Sequence, residues 1–329
     1  MTNGPSLEAI KHLREAQRHA ILRTPVVRCA SLESRLGGDT RVYAKLEFLQ
    51  RTGTFKARGA LAVLSGLSAE QRDLGVTAVS AGNHAIATAF AAQAVGASAK
   101  VVMISTANPA RIAACRAYGA EVVLADDVHE AFEAAERIQQ QEGRFFVHPF
   151  EGIDVATGTG TVGLEICEQC DLFDALIVPV GGGGLIGGIS NAVKKIRPHC
   201  EIIGVEPEGA DSMHQSFAAG EPRAIDKVRT IADSLGAPFA MPYSFGLCRE
   251  NVDRLVLVAD MQLRQSMGLL FEAMKIAIEP ACAASTAALF GPLRERLRGK
   301  TVMLVFCGSN IDWATFQSQA IFEDFNADR

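Results

Sequence analysis

A chain of 329 residues is long enough to bury one large core or two medium ones. With 48% hydrophobic and 21% charged residues and a formal net charge of -5, its composition excludes a disordered polymer and selects neither nucleic acid nor membrane surface as a partner. The start, M-T-N-G-P-S-L-E-A-I-K-H-L-R, lacks an apolar core of signal-peptide length, and no later run stays apolar long enough to span a bilayer, so a cytoplasmic location is expected.

In chain order, the first segment with chemical content is T-G-T-F-K-A-R-G-A, Thr52 to Ala60, where Lys56 stands between Phe55 and the small residues of a helix start. From residue 76 to 150, β-rich runs alternate with alanine-rich helical ones: V-T-A-V-S, H-A-I-A-T-A-F-A-A-Q-A-V-G, K-V-V-M-I, A-R-I-A-A-C-R-A-Y-G and E-V-V-L. That is the βαβ rhythm of a parallel sheet. Gly96 and Gly119 stand where helices end, and Asn108-Pro109 opens the second helix. Ser80-Ala81-Gly82-Asn83-His84 lies at a strand end and opens a helix, so its hydroxyl, amide and free N–H groups suit a carboxylate. Taken alone, an ordinary cap explains it better, and His84 reads first as a satisfied, partly buried histidine.

Eight cysteines are scattered without the framework of a secreted scaffold, so most are expected to be reduced and buried. Cys167-Glu-Gln-Cys170 is a close pair, but with no second pair or nearby histidine it reads as structural. A second series follows: A-L-I-V-P-V at 175–180, a helix to Ile196, E-I-I-G-V at 201–205, R-L-V-L-V at 254–258, a long helical stretch through Met274, and T-V-M-L-V-F at 301–306. Glu206 to Asn251, rich in proline and glycine, reads as irregular. The pattern gives two α/β domains with the smaller inserted into the larger, and ligands at the carboxyl ends of strands between them.

Gly181-Gly182-Gly183-Gly184 follows an apolar strand and precedes a helix, where backbone N–H groups converge on an anion and the helix dipole adds its field. It is neither a P-loop nor a dinucleotide fingerprint, which points to the phosphate of something smaller. Cys307-Gly308-Ser309-Asn310 repeats the strand-end placement. A phosphate cradle apart from a lysine in apolar company suits a Schiff-base cofactor such as pyridoxal phosphate.

These segments resemble those of the serine/threonine dehydratase (threonine ammonia-lyase) family of fold-type II pyridoxal-phosphate enzymes, related to serine racemase: F-K-A-R-G-A, S-A-G-N-H, P-V-G-G-G-G-L, E-P-A-C-A-A and C-G-S-N follow in family order across nearly the whole chain. The resemblance implies an α/β, two-domain open parallel-sheet fold of the tryptophan synthase β-subunit type, with residues 1–70 and 151–329 forming the large domain and 71–150 a small mobile one. It implies that Lys56 carries pyridoxal 5'-phosphate, that Phe55 packs on its ring, and that Asn83 bonds its ring hydroxyl. Gly181, Gly182, Gly183, Gly184 and Leu185 would hold its phosphate, Cys307 would face its ring nitrogen, and Ser80, Ala81, Gly82, Asn83 and His84 would bind the substrate carboxylate.

The implied reaction is α,β-elimination from an L-β-hydroxy amino acid to a 2-oxo acid and ammonia, with L-threonine or L-serine as first expectation. Dehydration of 3-hydroxyaspartate, a phenylserine or a hydroxyectoine-derived amino acid remains open, as do β-replacement of the cysteine synthase type and a non-catalytic metabolite-binding role. Ala81 replaces the serine that delivers a proton in racemases, so weak racemisation is expected. Cys307 replaces a usual serine, and Thr159 and Ser234 depart from the family's glutamine and glycine. At the family's cation site, Glu206 and the Ala210 carbonyl match but Ser212 replaces an aspartate, so no metal is counted among the cofactors. Family habit suggests a homodimer or homotetramer, and no effector-binding domain is expected after the last motif.

Overall fold

The computed structural model describes residues 2–323. Among these, the strands are β1 (Val26–Arg28), β2 (Arg41–Leu46), β3 (Val76–Val79), β4 (Ala99–Ile104), β5 (Glu121–Ala125), β6 (Phe145–Phe146), β7 (Ala175–Pro179), β8 (Glu201–Pro207), β9 (Arg254–Val258) and β10 (Thr301–Phe306). They form a six-stranded sheet of order β1-β2-β10-β7-β8-β9 and a four-stranded sheet of order β5-β4-β3-β6. Every pair is parallel except β1 with β2, which runs antiparallel at the edge. The expected α/β architecture is therefore present, with one antiparallel strand added.

Burial explains which segments become which strands. In β7, A-L-I-V-P is buried at every position, the pattern of a parallel strand covered on both faces. Fully burying side chains such as Leu176 and Ile177 contributes roughly 2 kcal/mol each. The helix Pro280–Phe290, P-A-C-A-A-S-T-A-A-L-F, is buried all round because it packs inside the larger layer rather than on its surface. The helix Asn83–Val95 is likewise buried from Asn83 to Ala92.

Two segments depart from the pattern read from the residues. No strand is legible before residue 76, because β2 carries Lys45 in a fully buried position. Its Nζ is neutralised from far along the chain by Glu165 at 2.6 Å. Glu206 to Asn251 is more ordered than its composition implies and contains the helices Ser212–Ala219 and Pro242–Asn251. The first is started by a remote cap: the Glu206 carboxylate accepts the N–H groups of Met213 at 2.9 Å and His214 at 2.7 Å.

Candidate active site

Lys56 opens the helix Lys56–Ser65, and its placement follows from pairing of the segment before it with the chain after β10. Phe55 N–H donates to the Cys307 carbonyl at 3.1 Å, Ser309 N–H to the Gly53 carbonyl at 3.1 Å, and Asn310 Nδ2 to the Thr52 carbonyl at 2.9 Å. Gly53 makes the turn at φ +73°, and a Cβ there would meet Asn310 Oδ1 at 2.5 Å. Two residues on, Arg58 anchors the same helix in the interior. It forms paired hydrogen bonds with Glu47 and Glu165, and all three side chains are almost completely buried. Neutralisation by two carboxylates raises the Arg58 pKa further despite burial, so the group stays cationic.

The Lys56 amine points into a cavity lined by Phe55, Asn83, Phe150, the glycine run, Ser234, Glu279 and Cys307. It donates to the Pro149 carbonyl at 2.6 Å and lies 5.1 Å from the centre of the Phe55 ring. Burial pushes its pKa down to about 8, against the opposing pull of Cys307 and Glu279. About a tenth of the amine is thus unprotonated at pH 7, far more than for an exposed lysine. The Cys307 thiol is driven well above its ordinary value by its hydrogen bond with Cys282 and by burial, which makes it a neutral group. Its eight-member cysteine set is free and buried, Cys167 and Cys170 included.

Asn83 is oriented by partners from three other segments. Its Nδ2 donates to Glu279 Oε1 at 2.8 Å and to Ser234 Oγ at 3.1 Å, while its Oδ1 accepts from Asn310 Nδ2 at 2.8 Å. Burial and Asp233 raise the Glu279 pKa to about 7, opposed by Arg111. Ser80 Oγ accepts the Gly82 N–H at 3.1 Å, and His84 Nε2 donates to the Val147 carbonyl at 2.8 Å. The His84 ring, pushed down to about 3 by burial, is neutral and committed to that carbonyl.

The glycine run turns from β7 into the helix Gly184–Ile196, with Gly183 at φ +89°. A Cβ on Gly182 would lie 2.3 Å from the Phe150 ring, and one on Gly184 would lie 2.5 Å from the Phe150 carbonyl, so only glycine fits at both. The N–H groups of Gly181, Gly182 and Gly183 meet no acceptor among the described residues. This cradle, a deprotonatable lysine and a flanking phenyl ring fit pyridoxal phosphate. Thr159 hydroxyl lies 2.8 Å from the Gly184 carbonyl and so braces the cradle rather than facing the cavity.

Of the residues expected from the sequence, Phe55, Lys56, Asn83, Gly181, Gly182, Gly183, Gly184, Leu185 and Cys307 line this one cavity, while Ser80, Ala81, Gly82 and His84 flank Asn83 in the chain without lining it; Glu279, Asp233, Arg111 and Phe150 were not singled out from the sequence. Only Glu279 had a local signal, the segment E-P-A-C-A-A. Both Glu206 oxygens serve the helix beginning at Ser212, and among the described residues no group of three or more His, Cys, Asp and Glu side chains could hold a metal ion.

Comparison with known proteins agrees with the geometry. A family described as "Pyridoxal-phosphate dependent enzyme" matches residues 18–308. The chain is 54% identical over 315 residues to a phenylserine dehydratase of Ralstonia pickettii, covering 96% of each. It is 39% identical to an L-threonine ammonia-lyase of Thermotoga maritima, covering 93% of this chain and 76% of that one. The structure of maize serine racemase superposes with a TM-score of 0.90 at 31% identity, covering 96% of this chain and 97% of that one. The chain thus belongs to the pyridoxal-phosphate dependent enzymes, in their branch of hydroxy amino acid ammonia-lyases.

Proposed function

We propose that the site eliminates water from an L-β-hydroxy amino acid with an aryl β-substituent, a phenylserine ahead of threonine or serine, and that water then hydrolyses the released enamine to a 2-oxo acid and ammonia. The observation that carries the substrate class is the 54% identity, over nearly the full length of both chains, to a protein named for phenylserine. The position of the Lys56 amine supports the chemistry.

In this reading Lys56 holds the cofactor, Phe55 flanks its ring, Asn83 meets the ring hydroxyl, and Cys307 faces the ring nitrogen as a neutral thiol. The N–H groups of Gly181 to Leu185 hold the phosphate. Bound pyridoxal phosphate supplies an electron sink that acidifies the substrate α-carbon. Ser80, Ala81, Gly82, Asn83 and His84 bind the substrate carboxylate, His84 through its backbone because its ring is engaged elsewhere. The Lys56 amine, with its pKa near 8, removes the α-proton as general base. Residues 71–150 act as a small domain that closes over the remainder and excludes water. The protein works in the cytoplasm as a homodimer or homotetramer; light scattering that returned a monomer at working concentration would remove the oligomer from this reading.

The test is release of 2-oxo acid by cofactor-loaded protein given L-threo-phenylserine, L-threonine, L-serine and threo-3-hydroxyaspartate in parallel. The highest kcat/KM is expected for phenylserine, with phenylpyruvate as product. A preference for threonine would overturn the aryl assignment, and no keto acid from any of the four would overturn the reaction.

A further inference from the structure

We infer that Phe150, backed by Phe239 and braced by His148, forms the wall that receives the substrate's aryl group; this rests on reading the site as a dehydratase of hydroxy amino acids. Phe150 follows Pro149, whose carbonyl accepts the Lys56 amine at 2.6 Å, so its ring stands beside the atom that must reach the substrate α-carbon. It lines the same cavity as Lys56, Asn83 and Ser234. One face of the ring lies against Gly182, where an added Cβ would meet three ring atoms at 2.3 to 2.4 Å. His148 meets it edge-on with centroids 4.6 Å apart, and Phe239 lies tilted at 6.4 Å. Both phenylalanines remain partly exposed.

The turn that carries Phe150 is fixed. His148 Nδ1 accepts the N–H groups of Phe150 at 3.3 Å and Glu151 at 3.0 Å. The Glu151 carboxylate in turn accepts those of Tyr243 at 2.6 Å and Ser244 at 3.0 Å, at the start of the helix Pro242–Asn251. The backbone that carries the ring is therefore held in place beside the cavity. A methyl or hydrogen at the substrate β-carbon would leave this aromatic surface wet, whereas an aryl ring covers it and gains edge or offset contacts. The nearby cation, Arg111, is committed to Asp233 at 2.5 Å and to the Asn310 carbonyl at 3.2 Å, which leaves it poorly placed to receive a distal substrate carboxylate.

The experiment compares wild type with Phe150→Ala, Phe150→Leu and Phe239→Ala. It measures kcat/KM for L-threo-phenylserine and L-threonine, and the affinity for L-phenylalanine from the shift in the bound cofactor's absorption. The ratio of the two kcat/KM values is expected to fall about tenfold or more in Phe150→Ala, the scale set by loss of an aromatic contact surface, and by less in Phe150→Leu. Affinity for L-phenylalanine should fall in parallel. If Phe150→Ala does not fold, Phe150→Leu and Phe239→Ala carry the comparison. An unchanged ratio and unchanged L-phenylalanine affinity in folded variants, with wild type still preferring phenylserine, would overturn the wall and leave the dehydratase intact. Wild type that dehydrates threonine but not phenylserine would overturn the aryl reading itself, and the wall with it.

Discussion

His84 and His148 are both held neutral by burial, with pKa values pushed down to about 3 and about 4. For His84 the folded value lies below the ordinary 6.5, so between those limits the unfolded chain takes up a proton that the folded chain refuses. Stability is therefore intact above pH 6.5 and falls as the pH drops through that window, by on the order of 3 kcal/mol at pH 4.5 from His84 alone. His84→Gln keeps a donor for the Val147 carbonyl but cannot be protonated, so its urea midpoint should decline less steeply than wild type from pH 7 to 4.5. Parallel declines would show that His84 does not titrate in this way. At this scale the sequence was informative where chemistry is local. Lys56, Asn83 and the glycines announce themselves by their neighbours, whereas Glu279, Asp233 and Phe150 matter through partners that lie far away in the chain.

Between elements, the helix Pro109–Ala117 ties the small sheet's layer to the chain beyond it. Arg111 reaches Asp233 and Asn310, Asn108 Nδ2 reaches Asp312 at 2.5 Å, and Tyr118 hydroxyl donates to the Arg51 carbonyl at 2.9 Å. These bonds join the small sheet's layer to segments that flank the cavity. Asp233 is half exposed, which limits the Arg111 contribution to about 1 kcal/mol. If the small domain closes on substrate, Arg111→Met should raise KM about fivefold through a lower closed population, while leaving the cofactor's absorption in place. A KM within error of wild type would mean that closure does not depend on this contact. The helix itself was legible from Asn108-Pro109 and Gly119; the reach of its arginine was not, since sequence spacing gives a face and not a destination.

Across the whole molecule, the strand-end rule anticipated where the motifs gather. Ser80 follows β3, Gly181 lies just beyond β7, and Cys307 follows β10, so three distant motifs converge because parallel strands present their carboxyl ends together. The β-rich runs after residue 76 were readable because apolar residues dominate each of them and helical runs separate them. The edge pair β1–β2 was not, because β2 includes a lysine whose burial is compensated by the Thr24 carbonyl, Gln169 and the carboxylate of Glu165, 120 residues away. The division into domains at residues 70 and 150 is less clean in the packing than in the pattern: Ala57, Ala60, Leu61 and Leu64 of the Lys56 helix join the small sheet's core. The helix that begins at Lys56 is thus packed into both layers, a physical route from movement of one to the amine.

The central claim is that Lys56 is the cofactor-bearing amine and the base. The most direct measurement is the visible absorption and 2-oxo acid release of Lys56→Ala, prepared with pyridoxal phosphate beside wild type and matched to it in circular dichroism. The account predicts a folded protein without the bound cofactor's visible band and with no detectable keto acid from phenylserine. A Lys56→Ala protein that keeps both the band and the activity would contradict it.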